Sequence, residues 1–229
     1  MTTDLQRLRA ALASDAPLNW VLTGDSITHG LLHTLGERNY VDHLHELVRG
    51  DMGRVQDVMI NTAISGWRVK LLLKDFDRRV AAWKPNVVTL MIGTNDCSTG
   101  GVFPIISPQK FACQVRRFVR KVRRTGAIPV LQTQPTIDVA HAPERARIAE
   151  FAQAIRDVAA AEDVILVDQF AKFTELGHGG VAMNLLHDPF HPGAAGHAVL
   201  ALEIARVLGL QAPPASDRVL PDLAIRAAR

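Results

Sequence analysis

The sequence predicts an α/β fold built on a parallel sheet covered by helices on both faces. Three observations carry that expectation. Short β-rich runs alternate with helical patterns along most of the chain, and such alternation produces parallel strands joined by crossover helices. The run Val87-Val88-Thr89-Leu90-Met91-Ile92 is nearly all apolar, as expected of a strand buried on both faces. A length of 229 residues with 48% apolar content suits one large domain with a single buried core better than two small ones.

Leu5, Leu8 and Leu12 recur at helical spacing near the start. Strands are expected at Trp20–Thr23, Val55–Ile60, Val87–Ile92, Ile128–Gln132 and Val164–Val167. Helices are expected between them, near Val41–Arg49, Val69–Trp83, Pro108–Arg124 and Pro143–Ala161, with a last one over Gly193–Leu208. Gly126 sits where a helix-ending glycine belongs, before the fourth strand. Pro143 and Pro192 mark helix starts, because a first-turn residue has no intrahelical use for its N–H. Ala212-Pro213-Pro214 ends the globular pattern, which gives a domain over residues 1–212 and a tail over 213–229. The chain shows no internal repeat and no low-complexity segment.

The charged fraction of 21% gives no sign of disorder. A net charge of +3 and a pI near 9.1 are mildly basic and fall short of a nucleic-acid-binding signature. The one basic concentration is Arg116, Arg117, Arg120, Lys121, Arg123 and Arg124. It reads first as the wet face of a helix whose other face carries Phe111, Val115, Phe118, Val119 and Val122. The sharper alternative is a dock for an acidic partner. Two cysteines, Cys97 and Cys113, exclude a disulfide framework and a CxxC motif. Cys97 reads as a small buried filler. The N-terminus lacks the basic and apolar regions of a secretory signal, and no apolar run approaches the ~20 residues of a membrane span. A soluble, cytoplasmic protein is the expectation.

The candidate chemistry lies where strands end. In open α/β sheets ligands bind at the carboxyl ends of the strands, where the strand order reverses. Ser26 follows the first strand in Gly24-Asp25-Ser26, Gly66 follows the second, and Asn95 follows the third in Gly93-Thr94-Asn95-Asp96. In a strand order 2-1-3-4-5 these three strands are neighbours, so the three residues can converge. Asp188 and His191 come after the fifth strand, about 14 Å from the first. The stretch from Gln169 to His187 is long enough to bring them back over the sheet. An Asp and a His three apart in a tight turn can sit side by side, the carboxylate holding one imidazole tautomer while the other ring nitrogen faces Ser26. A serine hydroxyl needs such a base to act as nucleophile. The backbone N–H groups of Ser26 and Gly66 and the Asn95 amide are the candidate oxyanion donors. Glycine at 66 is expected because it lets a backbone N–H approach with no side chain in the way. Taken singly these signals are weak, since Gly-Asp-Ser alone reads as a helix cap. Their joint order makes the case.

These four segments resemble, in order, the blocks of the SGNH/GDSL hydrolases: Gly24-Asp25-Ser26-Ile27, Asn61-Thr62-Ala63-Ile64-Ser65-Gly66, Gly93-Thr94-Asn95-Asp96, and Asp188-Pro189-Phe190-His191-Pro192. The resemblance runs from about residue 18 to residue 210. It implies a flavodoxin-like three-layer α/β/α sandwich with a five-stranded parallel sheet of order 2-1-3-4-5. It also implies ester hydrolysis with no metal and no cofactor. Ser26 takes the nucleophile's place, Asp188 and His191 complete the triad, and Ser26, Gly66 and Asn95 form the oxyanion hole. The family spans lipases, thioesterases, carbohydrate deacetylases and acyltransferases, so the expected substrate is a small-molecule ester with a short to medium acyl group or an O-acetyl group. Phe190 is bulkier than the residue often found there and suggests an altered pocket wall. Asp25, His29, Trp67, Phe103 and His187 join it as pocket candidates, and the loop Cys97–Ser107 is a candidate rim.

Two other classes compete. An acyltransferase would hand the acyl group from Ser26 to an alcohol or amine. A flavodoxin-like binding module would use Thr23–Gly30 as a phosphate loop, but Asp25 would repel phosphate and no GxGxxG or GxxxxGK[ST] is present. A metal site is the weaker idea for the nine histidines. His29/His33 and His187/His191 are each four apart, but Asp42, His43 and His45 do not share a helix face, and no HExxH occurs.

Overall fold

The computed structural model describes residues 2–211, and the expected tail over 213–229 lies outside them. The β-rich runs become five parallel strands: β1 (Asn19–Gly24), β2 (Val58–Asn61), β3 (Val87–Met91), β4 (Ile128–Gln132) and β5 (Ile165–Val167). Their order is β2-β1-β3-β4-β5, as expected. Strand β1 is interior: Leu22 pairs with Asn61 on one side and Thr89 on the other, and Gly24 ends level with Met91.

Side chains alternate across a strand, and here they feed two separate cores. Trp20, Leu22, Val87, Met91 and Val130 pack with Leu8 of α1 (Asp4–Leu12), Leu44 of α3 (Tyr40–His45) and Leu200 and Ile204 of α9 (Ala194–Leu208). Val21, Val88, Leu90 and Leu131 pack on the other face with Phe111 and Phe118 of α6 (Pro108–Arg124) and Phe151 and Ile155 of α7 (Ile148–Glu162). The result is a three-layer α/β/α sandwich. Strands β3 and β4 are buried at every position, which explains their continuous apolar sequence.

Several element limits differ from expectation for local reasons. Strand β2 starts at Val58 rather than Val55, because Asp57 turns inward to accept hydrogen bonds from the Leu18 N–H and the Trp20 indole while Arg54 grips its carboxylate. The helix expected over Val69–Trp83 is three pieces: α4 (Val69–Lys74), α5 (Phe76–Arg79) and a 3-10 turn at Ala81–Trp83. The break falls at Asp75, a poor helix former, whose carboxylate is taken by Arg78 and Arg79. The third helix passes into a π-helical turn at Glu46–Asp51. Helix α8 (Gln169–Leu176), capped by Asp168 accepting from the Ala171 N–H, was not expected.

The basic face of α6 is largely engaged within the chain. Arg116 and Arg120 close on Glu162 of α7, and Arg123 closes on Asp4 of α1. Among the described residues no helix is long and apolar enough to cross a membrane.

Candidate active site

The end of β1 is built for close approach. Gly24 has φ +157°, and a Cβ there would collide with the Met91 carbonyl oxygen of β3. The chain then turns at once into the one-turn helix α2 (Ser26–His29), with the Asp25 carboxylate accepting from the Ile27 N–H at 3.1 Å. Ser26 is therefore held at the carboxyl end of β1, on the side of the sheet where the order reverses.

The second half of the site is a small hairpin of β6 (Leu186–Asp188) and β7 (His191–Pro192). Asp188 folds this turn around itself. Its Oδ1 accepts from the backbone N–H of Phe190 at 3.0 Å and of His191 at 2.8 Å, while Oδ2 lies 2.7 Å from His191 Nδ1. One carboxylate thus shapes the loop and orients the ring. Helix α9 backs the hairpin closely, since a Cβ on Gly196 would collide with the Leu185 carbonyl oxygen. His191 Nε2 then lies 2.8 Å from Ser26 Oγ. The sequence-predicted Ser26, Asp188 and His191 are brought together as one hydrogen-bonded chain.

Gly66 and Asn95 meet beside it. Gly66 has φ +78°, and a Cβ there would meet nothing within 4 Å. Glycine suits this left-handed turn, and it leaves the space beside the Gly66 backbone open. The Asn95 amide donates to the Trp67 carbonyl at 3.1 Å, and among the described residues its second hydrogen has no acceptor. Asp96 accepts from the Val69 N–H, so the loops after β2 and β3 are tied together at successive residues. Asn61 ties β2 to α2 through the Thr28 carbonyl at 2.7 Å.

Burial sets the electrostatics. It pulls the His191 imidazole below the ordinary histidine value; Asp188 opposes this, while His33 and Arg145 add to it. Burial tends to raise Asp188, but the Phe190 N–H and His191 outweigh it and hold the carboxyl below its usual range. Such a pair keeps a neutral imidazole next to an ionised carboxylate. Asp25 is fully buried, and burial pushes its carboxyl up to about 7 despite bonds from the Ile27, Gly93 and Thr94 N–H groups. It lies behind the nucleophile turn and is not a pocket wall, which corrects its reading as a pocket residue. Cys97 is a buried filler, its thiol donating to the Thr94 carbonyl and pushed by burial to about 12.

The other pocket candidates divide. Phe190 packs on the His191 ring at 4.4 Å between centroids, with the Arg145 guanidinium 3.7 Å from its own ring centre. His29 Nδ1 lies 3.1 Å from Ser65 Oγ on the loop before Gly66. The Trp67 indole packs on the second core and lies 5.3 Å from the Arg79 guanidinium, so its carbonyl rather than its ring reaches the site. Phe103 lies against Arg68, at 5.0 Å. His187 is exposed, its ring 5.8 Å from that of His33.

His33 is the residue sequence reasoning missed. Its ring stacks on His191 at 3.5 Å with an interplanar angle of 8°, and its Nδ1 lies 3.4 Å from Asp188 Oδ2. The only hint in the sequence was its four-residue spacing from His29. That spacing is irrelevant, because α2 ends at Gly30 in a left-handed conformation, φ +73°. His33, Asp188 and His191 bring three ligand-type atoms within 4.8 Å. The geometry suits proton handling and not metal binding. Imidazole binds a metal in its ring plane at about 2.0–2.1 Å, and an ion shared by two parallel stacked rings would lie off both planes. The phosphate-loop alternative also fails here, since the Asp25 carboxylate occupies the start of the one-turn α2.

A serine, histidine and carboxylate chain at the switch point of a parallel sheet is the arrangement of the α/β serine hydrolases. Within that class the chain belongs to the GDSL-like Lipase/Acylhydrolase family, whose model matches residues 22–199, and it is a carboxylic ester hydrolase of GDSL type. It is 26% identical over 203 residues to an acetylxylan esterase of Geobacillus stearothermophilus, covering 82% of this chain and 92% of that protein. A shorter match, 39% over 79 residues, takes in 34% of this chain and 9% of a protein of Mycoplasma pneumoniae. The crystal structure of Axe2, an acetylxylan esterase from Geobacillus stearothermophilus, superposes with a TM-score of 0.73 at 23% identity, over 85% of this chain and 95% of that one. That of a lipase/acylhydrolase from Enterococcus faecalis gives 0.68 at 25% identity, over 86% and 100%.

Proposed function

We propose that the protein hydrolyses short-chain carboxylic esters, O-acetyl groups on carbohydrates foremost, through an acyl-Ser26 intermediate. The observation that carries the mechanism is the continuous chain from Ser26 Oγ to His191 Nε2 at 2.8 Å and from His191 Nδ1 to Asp188 at 2.7 Å. Ser26 Oγ attacks the ester carbonyl carbon as its proton passes to His191. Asp188 holds the ring and stabilises the imidazolium. The carbonyl oxygen becomes an oxyanion received by the N–H groups of Ser26 and Gly66 and the free amide hydrogen of Asn95. Collapse breaks the bond to the leaving alcohol, which takes the proton from His191. Water then repeats the sequence on the acyl-enzyme, returning the proton to Ser26. The acetylxylan esterase similarity supports the acetyl preference. The test is a panel of p-nitrophenyl esters of graded acyl length and acetylated xylo-oligosaccharides, with the released acid measured. Highest kcat/KM on acetyl esters is expected; a maximum at long acyl chains would overturn the preference.

The pH profile follows from the site. His191 acts as base only when neutral, and its value is lowered from 6.5 by burial. Activity is therefore retained as pH falls through 6.5 and is lost only below it. His33 helps to lower His191, so His33→Ala moves the acid limb of kcat/KM to higher pH, while His33→Phe, which keeps the stacking face, moves it less. An acid limb unchanged in His33→Ala would remove His33 as a positioning residue.

A further inference from the structure

The loops that follow β2 and β3 also contribute Arg68 and Asp96 to a cavity of about 200 Å³ that the hydrolytic mechanism does not use. It is formed by α4, the loop over 98–107 and the first two turns of α6. Four cations line it: Arg68, Lys70, Lys74 and Lys110. Lys70 and Lys74 are four apart on α4, and so share one face. Among the described residues none of the four makes an ion pair.

Arg68 is the centre of this cluster. It is only 6% exposed, and its guanidinium donates to the Pro104 carbonyl at 2.8 Å and to the Ser98 carbonyl at 3.5 Å, but its Nε is buried without a partner. A buried charge is costly unless an opposite charge or hydrogen bonds compensate it. The one carboxyl in the lining, Asp96, accepts from the Val69 N–H, and burial pushes it up to about 7, so a single half-ionised carboxyl faces four cations at neutral pH. Gln114 adds a buried Oε1 with no partner, an acceptor for a hydroxyl. Phe103 and Ile106 supply an apolar wall. The volume is below the ~300–1,000 Å³ of drug-sized pockets and suits a small charged group with a few attached carbons.

The cavity is next to the chemistry by chain connection. Arg68 is two residues beyond Gly66, and Asp96 follows Asn95, so both lie within about 7 Å of backbone from an oxyanion donor. We propose that this cavity is an anion site that seats a carboxylate or phosphate carried by the ester substrate away from its reacting carbonyl. This rests on the ester-hydrolase reading and narrows its substrates to acidic ones, such as acetylated acidic or phosphorylated sugars.

Three ester pairs test it, each an anionic ester against its neutral counterpart: 4-acetoxybenzoate against phenyl acetate, an O-acetylated uronic acid against its methyl ester, and an O-acetylated sugar phosphate against the unphosphorylated sugar. The ratio of kcat/KM values is read in wild type and in Lys70→Gln/Lys74→Gln/Lys110→Gln. Wild type is expected to favour the anionic member by about tenfold or more, less so at high salt, and the triple variant to bring the ratio near one. The carboxylate and phosphate arms show which anion fits. Independently of turnover, inorganic phosphate is titrated calorimetrically into Ser26→Ala with and without the triple substitution. Saturable binding lost with the lysines supports the site. Equal rates within every pair and no phosphate binding overturn it, even if neutral esters are cleaved. Phosphate binding with no ester cleaved by wild type keeps the anion site and sinks the hydrolase reading instead.

Discussion

Ser26→Ala is expected to lower ester turnover by roughly 10⁴-fold or more while leaving the fold in place. The substitution removes one oxygen. That oxygen is the attacking atom, and its partner His191 Nε2 lies 2.8 Å away. Nothing else near the carbonyl replaces it, because His191 is already committed to Asp188 and Asp25 is buried behind the turn. The structural cost is one hydrogen bond, about 1 kcal/mol, or a drop in Tm of about 2–4 °C for a domain of this size. Initial rates with an acetyl ester, thermal melts and labelling by a fluorophosphonate probe check the three parts. Wild type should be labelled at Ser26 and the variant should not. A Ser26→Ala protein that keeps even a tenth of wild-type turnover would falsify the acyl-Ser26 mechanism.

Asn95→Ala is expected to lower kcat by roughly 10²–10³-fold, the usual loss when one oxyanion donor is removed, or about 3–4 kcal/mol of transition-state stabilisation. The Trp67 carbonyl fixes the Asn95 amide at 3.1 Å and leaves one N–H available. A donor to the oxyanion acts when negative charge develops, so KM should change little. If Asn95 served only to clamp the Trp67 carbonyl, the variant would show reduced thermal stability with kcat close to wild type. The split between kcat, KM and Tm therefore separates the two roles.

How much of this was readable from the chain differs by element. The limits of α6 were legible because Pro108 and Gly126 punctuate them locally, and the structure places the helix at Pro108–Arg124 and adds the Ser107 hydroxyl, which accepts from the Lys110 N–H. The strands were legible as short apolar runs, but their order came with the resemblance to the SGNH/GDSL hydrolases, because an apolar run does not say which strands are its neighbours. The interruption at Asp75 was not, because the apolar spacing from Val69 to Trp83 continues across it while an aspartate and two arginines rearrange the turn. Asp25 was misread for a related reason: its sequence position next to Ser26 says nothing about which side of the turn its carboxylate takes.

By itself the sequence determined the class of fold, the placing of Ser26, Gly66 and Asn95 at strand ends, and the Asp188/His191 turn, since all of these follow from periodicity and short-range chemistry. Tertiary structure alone decided what surrounds them. His33 stacks on His191, Arg145 caps Phe190, and Arg68 joins Lys70, Lys74 and Lys110 around one cavity. Most of these contacts join segments far apart in the chain. They depend on how loops pack over the sheet edge, and neither local propensity nor hydrophobic period carries that information.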